Sequence, residues 1–179
     1  FDTDHAEGDS GSQSNDLSAT VTSTTAPTVA EFRTAVMAAV EAAYGFKDDR
    51  GEPVNEDARQ WDVMVPWPFM GVAMSALTLP VINDGTGAVS NVLTAMDGFT
   101  FRPVVNPRLT WTDRFAVFRS DAAGATPFIL QEEEPVELEV LGPGSDHHFK
   151  HKERLFSAVW SGNIGFGDWR GAVLVTFTT

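Results

Sequence analysis

The first residues of the chain bring two carboxylates and an imidazole together. Asp2, Asp4 and His5 lie within the stretch FDTDH at positions 1–5. Such groups could bind a divalent metal ion or act in acid–base catalysis. A specific site would require a second pair of ligands at a fixed spacing, such as HExxH, and the sequence contains none. The sequence therefore favours a turn whose polar side chains hydrogen-bond the backbone.

A second candidate is HHFKHK at positions 147–152, which holds three of the four histidines. On a strand, His147, Phe149 and His151 would share one face and His148 would point to the other. Two imidazoles at this spacing can chelate a transition metal, and histidines can also form a contact that depends on pH. Three neighbouring cations oppose the binding of a metal ion. They are Lys150, Lys152 and Arg154.

The remaining charged motifs point to surfaces and not to catalysis. QEEEP at positions 131–135 is typical of a solvated strand edge that discourages stray pairing. Four arginines in residues 99–130 could contact an acidic neighbour or a phosphate backbone, but no aromatic platform accompanies them. They are Arg102, Arg108, Arg114 and Arg119.

No nucleotide-binding or nucleophile motif is present. The chain contains no GxSxG elbow, no Walker-type loop and no Rossmann GxGxxG, and GFGDWRG at positions 165–171 has the wrong spacing. We therefore predict no catalytic residues, no cofactor-binding residues and no metal ligands.

Composition limits the possible partners. The chain has 179 residues, a formal net charge of −13 and no cysteine, which excludes disulfides and thiolate zinc sites. This charge argues against indiscriminate binding to nucleic acid or to an anionic membrane. The apolar stretch around residues 63–82 is interrupted by Pro66, Pro68 and Pro80, so a strand followed by a short helix explains it better than a membrane span.

The elements that would position these groups begin with a helix. Residues 28–45 combine a capping box, Thr28 and Glu31, with apolar residues at three- and four-residue steps, and Gly45 is placed to end the helix in a left-handed turn. Residues 6–27 are polar and are predicted to be a loop or arm. WDVMVP (61–66) is predicted to be a strand, with a helix from Pro68 to Leu79.

After residue 98 the pattern becomes rich in strands. The predicted strands cover 99–106, 114–120, 126–132, 136–142, 149–162 and 172–179. VELEV (136–140) alternates strictly, so we expect Glu137 and Glu139 to face water and the apolar residues to face inward. The chain is thus predicted to be α+β, with a helix-bearing half followed by a β half.

Several stretches, taken in order, resemble the major head subunit of Mu-like tailed bacteriophages. They are FDTDH with the tract that follows it, FKDDRGEPVN, WDVMVPWPFMGVAMSAL, VVNPRL, PFILQEEEPVELEV and FGDWRGAVLVTF. The resemblance runs through nearly the whole chain. It implies the tailed-phage major capsid fold, with an axial α/β lobe and part of a peripheral β-rich lobe.

The resemblance also implies an organisation and a function. Residues 1–27 would be a connector of the peripheral lobe, residues 28–112 the axial lobe and residues 113–179 the β region of the peripheral lobe. The family's extended loop and spine helix have no counterpart here, so the chain resembles the C-terminal part of a larger subunit. Such subunits are not enzymes. They form hexamers and pentamers of an icosahedral shell, assemble in the host cytoplasm and reside in the virion capsid.

The implied partners are further copies of the same chain, enclosed DNA that is bound without sequence specificity, and possible scaffold or other head proteins. Two alternatives remain open at this stage. One is an encapsulin-like shell, which shares the fold and encloses protein cargo. The other is a metal-dependent hydrolase that uses Asp2, Asp4, His5 and the histidines of residues 147–151.

Overall fold

The computed structural model describes residues 1–122 and 126–179. Its α-helices are α1 (Val29–Gly45), α2 (Met70–Thr78), α3 (Val92–Ala95) and α4 (Asp146–His151). Its strands are β1 (His5–Ala6), β2 (Ser12–Gln13), β3 (Asp16–Thr20), β4 (Gln60–Pro66), β5 (Val81–Asn83), β6 (Ala88–Ser90), β7 (Thr100–Asn106), β8 (Arg114–Arg119), β9 (Phe128–Leu141), β10 (Leu155–Phe166) and β11 (Ala172–Thr178).

The chain forms two compact units. Unit 1 consists of Phe1–Pro127 and Asp168–Thr179, and unit 2 is the single stretch Phe128–Gly167. Unit 2 is an insertion between two paired strands of unit 1, because Phe118 of β8 lies opposite Ala172 of β11. The backbone N–H of Asp168 donates to the carbonyl of Thr126 at 3.0 Å, so the two ends of the insertion are held together.

A mixed five-stranded sheet forms the framework of unit 1. The strand order is β3-β11-β8-β4-β7. β8 runs antiparallel to both β11 and β4, whereas β3 is parallel to β11 and β7 is parallel to β4. Parallel neighbours need a crossover connection. Between β4 and β7 this connection contains α2, which contacts both strands.

Helix α1 begins as the sequence predicts. Thr28 is the N-cap, and its hydroxyl accepts from the Glu31 N–H while the Glu31 carboxylate accepts from the Thr28 N–H, which confirms the capping box. The predicted left-handed end at Gly45 is wrong. Gly45 is the last helical residue and has no positive φ, and Phe46 continues in an extended conformation and is buried. The helix is therefore followed by a buried, extended Phe46 and not by a left-handed glycine.

Four phenylalanines from four separate elements form the centre of the core. Phe32 of α1, Phe115 of β8 and Phe177 of β11 have ring centroids 4.7–6.1 Å apart. Phe69, in the 3-10 turn that precedes α2, contacts Phe177 at 5.6 Å in an edge-to-face arrangement. All four side chains are fully buried. Aromatic pairs with this spacing add to the stability that area burial provides.

The N-terminal segment corrects the prediction of a loop or arm. β3 pairs with β11 over Leu174↔Asp16 to Thr178↔Thr20 and becomes an edge strand of the main sheet. β1 and β2 form a short antiparallel pair before it. Composition alone does not indicate β3 because β3 is an edge strand. Its Asp, Ser and Thr side chains are compatible with that position, since one face and one side of the backbone remain accessible to water.

Unit 2 is a long antiparallel ribbon of β9 and β10 with α4 between them. The sequence predicted two strands around Pro135, but β9 continues through it. The pairing register shifts between Val159 and Ser161 and again at Gly162. Proline has no N–H to donate to the ladder, so its position beside a bulge is expected. The predicted strand at 149–162 is wrong in its first part, where α4 forms instead.

The predicted lobes divide the chain at a different place from the two units. Strands β8 and β11 lie on the C-terminal side of the predicted boundary at residues 112/113, yet they belong to the same sheet as β4 and β7. Residues 123–125 of the predicted peripheral region lie outside the described residues. The assignment of these ranges to axial and peripheral lobes stays a prediction.

Within the described ranges, no helix combines the length and apolarity needed to cross a bilayer.

The Glu31 carboxylate fastens the segment before α1 to the helix. Thr22 donates to it from its backbone N–H and its hydroxyl, both at 2.7 Å, and Thr28 donates in the same two ways at 2.7 and 2.9 Å. These hydrogen bonds, above all the one from the Thr22 hydroxyl, lower the pKa of Glu31 from 4.5 to about 2. The contribution to stability is therefore fully present above pH 4.5 and is lost as the pH falls through about 2.

We expect Glu31→Gln to lower the free energy of unfolding at pH 7 by about 1 kcal/mol, as loss of a capping interaction does. The difference between wild type and variant should shrink as the pH is lowered from 5 towards 2, because the wild-type carboxylate becomes protonated. Urea unfolding at a series of pH values measures this difference. A difference that does not change with pH would contradict the assigned role of the charge.

We expect unit 1 to fold without unit 2. Replacement of residues 128–167 by a short Gly/Ser linker should preserve the cooperative unfolding of unit 1, because the two ends already lie side by side. Loop-closure entropy changes slowly with length, so the free energy of unfolding should change by no more than about 2 kcal/mol. Near-UV circular dichroism and urea unfolding measure the cooperativity and the free energy of unfolding. Loss of cooperativity would show that unit 2 is needed to form the sheet.

Candidate functional site

The structure places the acid–histidine cluster at the start of strand β1, where the side chains form local hydrogen bonds and a ring contact. Asp2 accepts from the backbone N–H groups of Thr3 and Asp4 at 2.7 and 3.3 Å, and Asp4 accepts from the Ser12 hydroxyl. The His5 ring stacks on Trp169, with centroids 4.0 Å apart and planes 4° apart. These contacts engage the three side chains in local structure, and only Asp2 hydrogen-bonds neighbouring backbone groups as the turn interpretation expects.

Asn15 is the centre of this region, although the sequence did not single it out. Its side chain is 1% exposed. Its Nδ2 donates to the carbonyls of Trp169 and Ala172 at 3.1 and 3.0 Å. Its Oδ1 accepts from the Asp2 N–H at 2.8 Å and lies 2.9 Å from His5 Nε2. A buried amide whose polar atoms are all used in this way ties the N-terminal segment to the end of the chain.

The histidines of residues 147–151 lie at the tip of unit 2. His147 and His151 occupy positions i and i+4 of α4, with ring centroids 4.8 Å apart, and not the shared face of a strand that was predicted. His147 Nε2 is 3.8 Å from Glu153 Oε2. Among residues 1–122 and 126–179, no group of three or more His, Cys, Asp or Glu side chains could hold a metal ion.

The largest concentration of buried charge lies in unit 1 around Arg119. Its guanidinium donates to Asp57 and Asp121, both at 2.8 Å, and to Asn55 Oδ1 at 3.2 Å. A cavity of about 220 Å³ lies beside it, with Asp168 and Arg170 on its wall. The guanidinium of Arg170 donates to both carboxylate oxygens of Asp168. Each cation here has its own carboxylate, so the cavity has no surplus of positive charge for an anion.

The pKa values agree with ion pairs that serve structure. Burial raises the pKa of Asp121, but hydrogen bonds from Arg119 and the Arg59 N–H outweigh it, and the pKa lies below its ordinary value. Asp168 behaves in the same way: burial raises its pKa, and Arg170 lowers it by more. Both carboxylates are therefore held in the charged form at neutral pH, which suits a fixed bridge better than a general acid.

The other predicted arginines also serve local pairs or the surface. Arg102 binds Asp62 at 2.6 Å and Arg114 binds Asp113 at 2.9 Å, while Arg108 is exposed. Arg119 is likewise paired, with Asp57 and Asp121. The structure thus gives no support for a nucleic-acid platform in this region.

The ribbon of unit 2 exposes an apolar face and an acidic face. On one face Val140 lies opposite Phe156 and Leu138 opposite Ala158, and on the other Glu139 lies opposite Ser157. All of these side chains are exposed, and Leu138 is 76% exposed. The prediction that the apolar residues of VELEV face inward is therefore wrong. The alternation is real, but nothing among the described residues covers the apolar face.

Two glutamates in the middle of the β9–β10 ribbon accept hydrogen bonds from side chains of β10. Trp160 Nε1 donates to Glu132 at 2.9 Å, and the Ser161 hydroxyl donates to Glu133 at 3.1 Å. The Trp160 ring lies so close to Gly162 that a Cβ there would come within 2.5 Å of it. A larger residue at position 162 would therefore require the Trp160 indole to shift. Exposed apolar faces with organised polar edges mark surfaces that meet other molecules.

The described chain shares its fold with phage capsid proteins. The capsid of Myoviridae phage XM1 matches with a TM-score of 0.50 and 11% identity, over 95% of this chain and 56% of that chain. The mature capsid of bacteriophage PhiM1 matches with a TM-score of 0.48 and 11% identity, over 92% of this chain and 52% of that chain. The chain therefore spans about half the length of these capsid chains.

The likeness to the XM1 capsid confirms the predicted fold class, which is the α+β capsid fold. No protein-family model matches the sequence. No curated protein matches it significantly.

We expect Asn15→Ala to lower the free energy of unfolding by about 2–3 kcal/mol, because it leaves two buried carbonyls and the Asp2 N–H without their partner. Urea unfolding measures the loss. Asn83→Ala is the matched control, since the exposed Asn83 side chain accepts only from the nearby Gly85 N–H and should change stability by less than about 0.5 kcal/mol. Equal effects in both variants would contradict the central role of Asn15.

Proposed function

We propose that this chain is part of the major capsid protein of a tailed phage or prophage. The observation that carries the proposal is the fold shared with the XM1 capsid over 95% of the chain. A structural role follows from this proposal, with function arising from self-assembly and not from catalysis. The protein would reside in the virion capsid after assembly in the host cytoplasm.

The mechanism of such a subunit is geometric. Different patches on each copy contact one another, and a repeated head-to-tail contact closes into a ring when its rotation allows it. Rings of six and five copies would then tile an icosahedral shell. The exposed apolar face of the β9–β10 ribbon supports a role in contacts between molecules, since large uncovered apolar patches are uncommon on isolated soluble proteins.

The net charge of −13 is compatible with a container for DNA. A negatively charged wall repels the phosphate backbone and does not hold the enclosed DNA tightly. The ion pairs around Arg102, Arg114 and Arg119 leave little unpaired positive charge in that region. Packaged DNA would thus be enclosed without sequence-specific binding.

Two finer assignments rest on the ordered sequence resemblance. They are the Mu-like type of the subunit and its division into a connector at 1–27, an axial lobe at 28–112 and a peripheral region at 113–179. The same resemblance supports the assignment of the chain to the C-terminal part of a longer subunit. The coding sequence upstream of Phe1 tests that assignment, and a further segment with a long amphipathic helix is the expected finding.

The proposal is tested by expression of the whole coding sequence that contains this chain. We expect negative-stain and cryo-electron microscopy to show closed particles of uniform diameter, and nuclease digestion followed by extraction to show protected DNA in particles from a phage lysate. Particles filled with a defined protein cargo would instead identify an encapsulin-like compartment. Failure to form any closed particle would contradict the shell function.

A further inference from the structure

Charge is divided unevenly along unit 2. β9 carries five carboxylates and no cation, and β10 carries no charged residue at all. The cations of unit 2 are confined to the tip, which we define as residues 145–154. We define the acidic stem by its five glutamates. These are Glu132, Glu133, Glu134, Glu137 and Glu139.

The stem carboxylates have no ionic partner among residues 1–122 and 126–179. None of the ion pairs among the described residues includes any of the five, and the contacts of Glu132 and Glu133 are hydrogen bonds from the neutral groups of Trp160 and Ser161. Every residue of β9 is exposed. Five neighbouring carboxylates without countercharges repel one another, so a cationic surface that approached them would be attracted.

The tip presents the matching groups. Lys150 is paired with Asp146 at 2.7 Å, but Lys152 and Arg154 form no ion pair among the described residues. The Lys152 ammonium lies 5.6 Å from the centroid of the Phe149 ring, which is 77% exposed. The tip thus combines an exposed aromatic side chain with cations at its edge, which is a composition enriched in protein interfaces.

The stem has the complementary composition. Leu138 and Val140 are exposed on one face of the ribbon, and Glu137 and Glu139 lie on its other face. The acidic face therefore offers carboxylates to the cations of the tip. Unit 1 as a whole carries 18 of the 25 acids and 9 of the 12 bases, so its net charge does not favour an approach to the stem.

We infer that the tip of one copy docks on the acidic stem of a second copy of this chain. The inference rests on the proposed function and deepens it, because it names the residues of one contact between subunits. The two patches are different, so the contact is head-to-tail and can repeat from copy to copy. Attraction between opposite charges would set the register of the contact.

Charge reversal tests this contact in the intact chain. Lys152→Glu/Arg154→Glu should weaken self-association by about tenfold or more, measured by sedimentation velocity at increasing protein concentration. Glu137→Lys/Glu139→Lys should weaken it to a similar extent. The chain that combines all four substitutions should recover most of the association, because its reversed tip again meets a stem of opposite charge. Self-association of the wild type should also weaken as salt is raised.

A matched control reverses one lysine and one arginine of unit 1. Lys47 and Arg108 are exposed, and neither side chain takes part in an ion pair among the described residues. Lys47→Glu/Arg108→Glu changes the net charge by the same amount as the tip variant and should leave self-association within about twofold of wild type. An equal loss in the control would show a general charge effect and would overturn the proposal.

The absence of cysteine allows a second readout by disulfide trapping. A variant with His151→Cys at the tip and a variant with Ser157→Cys on β10, opposite Glu139 of the stem, each carry a single thiol. Under mild oxidation their mixture should form mainly the mixed dimer. A predominant Ser157→Cys homodimer would indicate face-to-face packing of two stems and would overturn the tip-to-stem contact.

The outcomes separate this contact from the proposed function. Closed shells from the whole coding sequence that are unaffected by either charge reversal would overturn the contact and leave the shell function standing. A wild-type chain that remains monomeric up to millimolar concentration would also overturn the contact. Absence of shells, judged by electron microscopy, would contradict the function itself. Circular dichroism of each variant confirms that a lost association is not a loss of folding.

Discussion

The packing of four phenylalanines between α1 and the main sheet is the interaction on which the rest of unit 1 depends. Phe32, Phe69, Phe115 and Phe177 come from distant parts of the chain and meet at centroid distances of 4.7–6.4 Å. Their burial removes a large apolar area from water, which is the main favourable term in folding. Because Phe177 lies on β11, the last strand must return to the sheet, whatever the chain does between β8 and β11.

This return makes the insertion of unit 2 possible. β8 and β11 are paired neighbours, so a segment placed between them leaves and re-enters at nearly the same point. A two-stranded ribbon has little core of its own and is marginally stable when alone. Unit 2 accordingly exposes almost its whole surface, and Phe166 reaches 92% exposure. Because unit 1 has its own core, unit 2 can keep its side chains exposed to other molecules.

The residues whose types suggest a catalytic or metal-binding site instead stabilise the fold through local contacts. Asp2 and Asp4 hold turns, His5 stacks on Trp169, and the carboxylates near Arg119 form fixed ion pairs. Each polar group that leaves water must find a partner, and in this protein the partners are mostly backbone groups or a single opposite charge. These groups are therefore engaged in structure, while most side chains of the β9–β10 ribbon remain exposed.

The sequence by itself determined the local features: the capping box of α1, the helix after Pro68, most strand positions and the α+β class. These depend on neighbouring residues, because helix and strand periods and capping bonds span only a few positions. Only the tertiary structure decided that β3 joins the sheet, that Asn15 is the buried polar centre and that the ribbon's apolar face is uncovered. Each of these depends on which distant segment lies alongside, and the alternation of VELEV is the same whether or not another surface covers it.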